Sequence, residues 1–415
     1  MNKVINFGCR LNNFEGKKIE ELLPKHQNES SVIVINSCAV TNETERQVRQ
    51  TIRKVKKTNP NSKLILTGCA AQISPSTYSQ MEEVDLLIDN ISKLKPETWI
   101  NLFDENHEGQ FINDIFEKYD DADPVLNSES LGPRESLVIQ QGCNHRCTFC
   151  IIPFGRGNNR SFDPAFLIKE VQRHVSQGVK EIVLTGVDIS DYGSDFNKHY
   201  CMSNLILDIL DKTDLERLRL SSIDCAEIDD HFNEVLINPR VMPHLHLSLQ
   251  SGDNMILKRM KRRHSRDDAI NLCKKIRKRR PEVAFGADII TGFPTETEEM
   301  FLNTLNIVDE CGLDWLHVFP YSPRPGTPAA KMPQNDKKVS KQRAKILREK
   351  GEKIKKNHLE GLVGKKIKVF IEKNNTGHTN QFAPVKLEEN YEPGTSILAH
   401  ISQSDSNFVY GKMAN

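Results

Sequence analysis

The sequence predicts an α/β protein in three parts: an amino-terminal doubly wound parallel sheet, a central partial barrel of six β/α units, and a small carboxy-terminal all-β barrel. Three observations carry this reading. Short apolar runs alternate with amphipathic helical patterns through the first hundred residues, the pattern of a parallel sheet with helices on its faces. An acidic, irregular stretch interrupts the alternation, which then resumes six times between residues 129 and 359. From residue 360 onward the pattern changes to short alternating segments broken by Gly and Pro.

In order along the chain, Lys3–Phe7, Ser31–Asn36, Lys63–Thr67 and Val84–Ile88 read as strands. Thr41–Lys57 places Val48, Ile52 and Val55 at helical spacing, with Asn42 and Glu45 suited to cap its start and Asn59-Pro60 to stop it. The first domain is set at residues 1–105 and a linker at 106–128, which holds Asp120-Asp121-Ala122-Asp123-Pro124. In the central domain, 129–359, strands are expected to begin near Ser136, Glu181, Glu216, Pro243, Val283 and Trp315, each followed by a helix. Folds of this kind place their chemistry at the carboxyl ends of the strands. A long basic helix, Lys337–Lys356, follows Pro333. In 360–415, Lys365–Glu372 alternates as a strand, and Gly377, Pro384, Pro393-Gly394 and Gly411 separate short segments. Small β barrels of this type often contact nucleic acid.

The composition is that of a globular chain. With 415 residues, 37% apolar and 27% charged, it argues against a disordered, collagen-like or membrane-spanning protein. Its longest apolar runs, such as Ser31–Ile35 and Glu181–Leu184, are strand length and far short of the ~20 residues a spanning helix needs. Met1–Asn6 shows no secretory pattern, so the expected compartment is the cytoplasm. Lys and Arg (57) balance Asp and Glu (56), so net charge by itself names no partner. Ten cysteines in a reducing compartment lean towards metal binding or catalysis.

Six of those cysteines form two trios. Cys143, Cys147 and Cys150 are spaced C-x3-C-x2-C, directly after the first strand of the central domain. Three thiolates do not complete a structural zinc site, which wants four ligands. His145, wedged between two of the cysteines, fits a chelate poorly. An iron–sulfur cluster normally takes four cysteines. Held by three, it keeps one iron open, where an amino acid's amine and carboxylate can chelate and hold a sulfonium for one-electron reduction. Cys9, Cys38 and Cys69 form the second trio, with gaps that match no local zinc pattern. Each ends an apolar run, so three thiols meet at the carboxyl ends of parallel strands, where open sheets bind ligands. Gly8 and Gly68, just before two of them, favour close backbone approach.

The C-x3-C-x2-C loop at the end of the first barrel strand resembles that of the radical S-adenosylmethionine enzymes. With the second trio and the β domain, the likeness tightens to the methylthiotransferases of that family and extends over essentially the whole chain. These pair an amino-terminal three-cysteine domain with a radical barrel and a carboxy-terminal TRAM domain. The resemblance implies two 4Fe-4S clusters, one on Cys143, Cys147 and Cys150 and one on Cys9, Cys38 and Cys69. It implies S-adenosyl-L-methionine both as source of a 5′-deoxyadenosyl radical and as methyl donor. It further implies tRNA, through its anticodon stem-loop, as substrate, an electron donor such as flavodoxin or ferredoxin, a sulfur donor, and no membrane partner. Asn36–Gln47, Gly186–Gly193 and Tyr321–Thr327 look like the members acting on N6-threonylcarbamoyladenosine. Members acting on isopentenyladenosine, or on an aspartate of a ribosomal protein, differ after the second cysteine. Asn13-Phe14 departs from the family, which commonly has tyrosine there; Phe14 keeps the ring.

Hydrogen-bonding groups for S-adenosylmethionine are expected at strand ends: Thr185, Gly186 and Asp188 on the second barrel strand, Ser222 and Asp224 on the third, Gln250 on the fourth and Asp288 on the fifth. Any of these polar residues serves equally as a helix cap. His244 and His246 share a strand face, but no third metal ligand is evident, which favours packing. Cys201, Cys225, Cys273 and Cys311 read as small core residues. Lys258–Arg280 carries twelve basic residues against two acidic, and Lys337–Lys356 ten against two, a surface suited to RNA phosphates. The rival of another class is a non-catalytic iron–sulfur protein that binds RNA or senses redox state, which would consume no S-adenosylmethionine.

Overall fold

The computed structural model describes residues 2–24, 31–104, 109–117, 132–196, 199–229 and 231–414. The chain divides into two compact units. One holds 1–129, 140–162 and 322–328; the other holds 130–139, 163–321 and 329–415.

In the first unit, β1 (Lys3–Asn6), α1 (Arg10–Leu22), β2 (Val32–Ser37), α2 (Asn42–Thr58), β3 (Lys63–Gly68), α3 (Cys69–Ile73), α4 (Pro75–Ser79), β4 (Leu86–Ile88), α5 (Pro96–Asp104) and β5 (Gly109–Phe111) follow in order. The five strands are parallel and lie side by side in sequence order. Alternation along them divides the core. Val4, Val34, Ile65 and Ile88 face Ile19 of α1 and Trp99 of α5, whereas Ile35, Leu64 and Leu66 face Val48 and Ile52 of α2 and Tyr78 of α4. Helices therefore cover both faces, as expected, although the strand order never reverses. The crevice arises instead because α1 and α2 leave neighbouring strand ends for opposite faces.

Two local expectations need correction. Thr41, rather than Asn42 or Glu45, caps α2, accepting from the Thr44 N–H. A cap needs extended backbone, which Thr41 has (φ −131°), while Asn42 is already helical. Within the stretch read as a linker, β5 adds a fifth strand, pairing Leu86 with Gly109; the acidic Asp120–Pro124 run lies outside the described residues.

The second unit takes most of β6 (Arg134–Gln141), whose last residues, Gln140 and Gln141, belong to the first unit with α6 (Ile152–Arg156) and β7 (Arg160–Ser161). It continues with α7 (Pro164–Ser176), β8 (Glu181–Gly186), α8 (Met202–Lys212), β9 (Arg217–Leu220), β10 (Ser222–Ile223), α9 (Phe232–Ile237), β11 (His244–Gln250), α10 (Asn254–Met260) and α11 (Arg266–Arg279). Then come β12 (Ala284–Thr291), α12 (Glu298–Glu310), β13 (Trp315–Pro320) and α13 (Lys337–Glu360). Parallel pairing joins β8 to β9 and runs from β10 through β13. Ser221 interrupts what is otherwise one strand, β9 with β10, so six β/α units form an open barrel. All six strands begin within three residues of the expected positions. Among the described residues no helix is long and apolar enough to cross a membrane.

The chain ends in a closed five-stranded barrel of β14 (Lys366–Lys373), β15 (Thr376–Thr379), β16 (Pro384–Leu387), β17 (Ser396–Ser404) and β18 (Val409–Met413). Its core is small, centred on Val369, Ile371, Val385, Ala399 and Val409 and capped by Leu359 of α13. Polar keying to the amino-terminal ends of the β/α strands supplements it. Arg217 and Arg219 of β9 reach Asn380, at 2.8 and 3.1 Å. Phe382 lies under the Arg134 and Arg219 guanidinium groups and stacks on His378. Arg134 bonds Glu372 at 2.7 Å, and His378 bonds the same carboxylate at 2.9 Å.

Burial would raise the Glu372 carboxyl, but the hydrogen bond and charge of His378, with the charge of Arg134, outweigh it and hold the group down at about 2. Because the folded value is depressed, its stabilisation is complete above its ordinary value of 4.5 and is lost as pH falls through about 2. The melting temperature of Glu372→Gln is accordingly expected to lie below that of the parent near neutral pH, with the gap closing on acidification. A gap that is constant with pH would refute this.

Candidate functional site

Cys9 caps α1, Cys38 follows β2 and Cys69 opens α3, so the fold delivers all three thiols to adjacent strand ends. Glycine is required at the two approaches. Gly8 has φ +92°, and a Cβ there would lie 2.6 Å from the Cys38 Sγ; Gly68 has φ +94°, and its Cβ would lie 2.3 Å from the Ser37 carbonyl. Asn12 on α1 laces the crevice shut by donating to the carbonyls of Phe7 and Ser37, each at 2.8 Å. Burial foremost, with the neighbouring Cys69 and Cys9 sulfurs, pushes the Cys38 thiol up to about 12. The three groups thus sit close enough to feel one another's charge, a crowding that metal binding would relieve.

The second trio occupies the loop that leaves β6. Gln140 anchors it from below, donating to the Gly142 carbonyl at 2.8 Å and to Asn159 at 2.5 Å. Gly142 has φ +71°, and a Cβ there would collide with the Asn158 carbonyl. Arg146, with φ 53°, turns the chain and braces it through the Cys143 carbonyl and Asn158. The His145 N–H points at the Cys143 sulfur at 3.5 Å, and the Cys150 N–H at the Cys147 carbonyl at 3.0 Å. All six thiols are free of disulfides. Two sets of three soft sulfur donors, one with a backbone N–H aimed at a sulfur, fit iron–sulfur clusters.

The polar strand-end residues lie in the second unit. Thr185 and Gly186 end β8, and Asp188 precedes a short turn at Ile189–Asp191. Ser222 opens β10, and Gln250 ends β11 with φ 68°. Asp224 is already committed: burial opposes its charge, yet His264, Arg262 and Arg263 hold its carboxyl well below the usual range. Asp288 corrects the expected placement, because it is the fifth of eight residues in β12 rather than its end. Its carboxylate bonds His246 at 3.0 Å and lies 3.3 Å from His317 of β13. His317 was missed in the sequence because strand pairing alone brings it beside β12. His244 packs on Phe382 of the carboxy-terminal barrel. Cys273 and Cys311 are fully buried. Cys225 is buried as well, whereas Cys201 is half-buried at the start of α8.

The basic runs divide by residue type. Their arginines largely turn inward: Arg262 to Asp224, Arg266 to the Gly252 and Asn303 carbonyls, Arg277 to Cys311 and Gly312, Arg280 to Leu236, Arg343 to Glu296. The lysines Lys258, Lys261, Lys274, Lys275 and Lys278, and Lys337, Lys338, Lys341 and Lys345 on α13, remain exposed. Arginine's planar fork suits fixed carbonyl and carboxylate partners, while a solvated ammonium suits mobile phosphates. Two of the strings carrying the resemblance also meet. Ser322 and Pro323 accept from Asn42, and buried Arg324 bonds Asn42 at 2.7 Å as well as Glu45.

Comparison with known proteins agrees with this architecture. Residues 137–308 match the Radical SAM superfamily, and residues 2–89 match an uncharacterized protein family, UPF0004. The chain is 46% identical over 409 residues to a threonylcarbamoyladenosine tRNA methylthiotransferase of Rickettsia prowazekii, spanning 98% of this chain and 96% of that protein. It is 30% identical over 431 residues to a tRNA-2-methylthio-N(6)-dimethylallyladenosine synthase of Desulforamulus reducens, spanning 98% and 94%. A radical S-adenosylmethionine methyltransferase structure from Kitasatospora setae shares the fold, with TM-score 0.56 and 12% identity, over 77% of this chain and 66% of that one. The two cysteine trios, the order of the domains and near-full-length identity agree: the chain belongs to the methylthiotransferase family of radical S-adenosylmethionine proteins.

Proposed function

We propose that this chain inserts a methylthio group at carbon 2 of N6-threonylcarbamoyladenosine, at position 37 beside the tRNA anticodon. The observation that carries the reading is the presence of two three-cysteine sites in one chain, coupled to 46% identity with a relative named for that reaction. In this reading Cys143, Cys147 and Cys150 hold one 4Fe-4S cluster and Cys9, Cys38 and Cys69 hold the other. When bound, the first supplies the electron that cleaves S-adenosylmethionine, and the second carries the sulfur to be inserted.

The chain's own residues do the rest. Thr185, Gly186, Asp188, Ser222 and Gln250 offer hydrogen-bonding groups to S-adenosylmethionine at strand ends. Asp288 orients His246 and His317 in mid-strand and offers S-adenosylmethionine less than the expected strand-end carboxylate. Exposed lysines of α10, α11 and α13 follow the RNA backbone, and single-stranded anticodon loops let the target base leave its stack. The enzyme works in the cytoplasm with a flavodoxin- or ferredoxin-type electron donor and a separate sulfur donor.

Mass spectrometry of modified nucleosides in tRNA from cells with and without the gene tests this. The methylthio form of threonylcarbamoyladenosine should disappear and its unthiolated precursor should rise. Loss of the methylthio form of dimethylallyladenosine instead would favour the activity named for the Desulforamulus reducens relative, and unchanged nucleosides would direct the search to a protein substrate.

A further inference from the structure

A buried ion network lies against the first cysteine trio, and it is built partly from the segment that follows the second. Arg156 ends α6, six residues after Cys150, and is almost wholly buried. Its Nε donates to the Cys69 Sγ at 3.3 Å. Its other nitrogens donate to both oxygens of Glu15, one at 2.8 Å, and to Asn12. Glu15 and Lys93 are each completely buried, and the Lys93 ammonium bonds Glu15 at 2.6 Å and Asn36 at 3.2 Å. Next to Arg156, Gly155 lies so close to Cys69 that a Cβ would come within 3.3 Å of the cysteine's own Cβ. Asn90 fixes this approach, donating to the Gly155 carbonyl at 2.5 Å.

With Lys93 protonated, the network holds two cations and one carboxylate and leaves one positive charge away from water, while burial works against that ammonium. Buried charge without a counter-charge is strongly disfavoured, so the arrangement calls for an anionic occupant. Three thiolates around a four-iron core carrying two positive charges leave one negative charge, which matches. Reducing that core adds a second negative charge beside the guanidinium, where solvent and salt screen little. Hydrogen bonds to ligand sulfur and local charge are the protein's means of tuning such clusters.

We infer that Arg156, balanced by Glu15 and supported by Lys93, is a positioning residue that acts through Cys69 to raise the reduction potential of the cluster held by Cys9, Cys38 and Cys69. This rests on the proposed assignment of that cluster. Through Arg156, the loop that carries one set of cysteines sets the electronic state at the other.

The test uses the full chain with Cys143, Cys147 and Cys150 replaced by Ala, reconstituted with iron and sulfide and titrated with dithionite while paramagnetic resonance follows the single remaining cluster. Arg156→Gln and Lys93→Gln should shift the midpoint downward, and Glu15→Gln should shift it upward. All three substitutions break the same buried network, so a purely structural role would move them in one direction or merely lower iron content. Opposite shifts support the inference; unmoved midpoints, or a downward shift in Glu15→Gln, overturn it. Should Arg156→Gln fail to retain iron, the direction of Glu15→Gln decides. A parent that takes up no cluster would instead remove the assignment of the trio itself.

Discussion

Deoxyadenosine formation from S-adenosylmethionine is expected to fall below detection in Cys147→Ala, whereas Cys38→Ala should keep it near the parent rate and lose only the methylthio product. The two cysteines sit in sites built by different means. Cys147 belongs to a short loop whose shape is set by Gly142, Arg146 and Gln140. Alanine there removes one sulfur of three and leaves the loop in place. Cys38 is held by β2 and the approach of Gly8, and its loss leaves the Cys143–Cys150 loop untouched. Product analysis by mass spectrometry under dithionite separates the outcomes. Retained cleavage in Cys147→Ala would sink the assignment of the radical-generating site, and lost cleavage in Cys38→Ala would sink the division of labour between the sites. A parent that consumes no S-adenosylmethionine would favour the non-catalytic rival.

Glu181→Gln is expected to be the most destabilising single change away from the cysteines. Its carboxylate, 1% exposed, receives Arg217 at 2.9 Å, Arg219 at 3.1 Å and Arg134 at 3.1 Å. Burial would raise this carboxyl, but Arg219, Arg217 and Arg134 together hold it below its ordinary value. Neutralising it leaves guanidinium groups buried without their counter-charge, a change that typically costs ~3–5 kcal/mol. The same arginines key the carboxy-terminal barrel through Asn380, Phe370 and Phe382, so the barrel should become easier to clip by protease. Glu216→Gln is the control: it breaks an exposed pair with Lys180, worth ~0–1 kcal/mol. Equal melting temperatures for the two variants would show that the buried network contributes nothing.

Local pattern was enough for the strands and helices of the β/α units, because a strand followed by an amphipathic helix is written in consecutive residues. It was also enough to mark out two cysteine trios and to place each in the fold. C-x3-C-x2-C is a contiguous signal, and Cys9, Cys38 and Cys69 each terminate an apolar run. The basic runs were visible as charge but misleading as surface, since sequence spacing does not tell an arginine that bonds a carbonyl from a lysine that faces water. The cap of α2 was misplaced for a related reason. Asn42 and Glu45 are good capping residues by type, yet both are engaged by Ser322, Pro323 and Arg324, almost three hundred residues away.

Residue order alone was thus sufficient for the family and its parts: two cysteine trios, a radical S-adenosylmethionine barrel and a terminal β module. The tertiary structure alone decided which polar groups are committed. Asp224 is consumed by Arg262 and Arg263, Asp288 sits in mid-strand between two histidines, and the guanidinium of Arg156 arrives at Cys69. Cysteine spacing is legible because a loop's ligands are neighbours in the chain. Buried charge is not, because its stability depends on a partner that only the packed fold brings within reach.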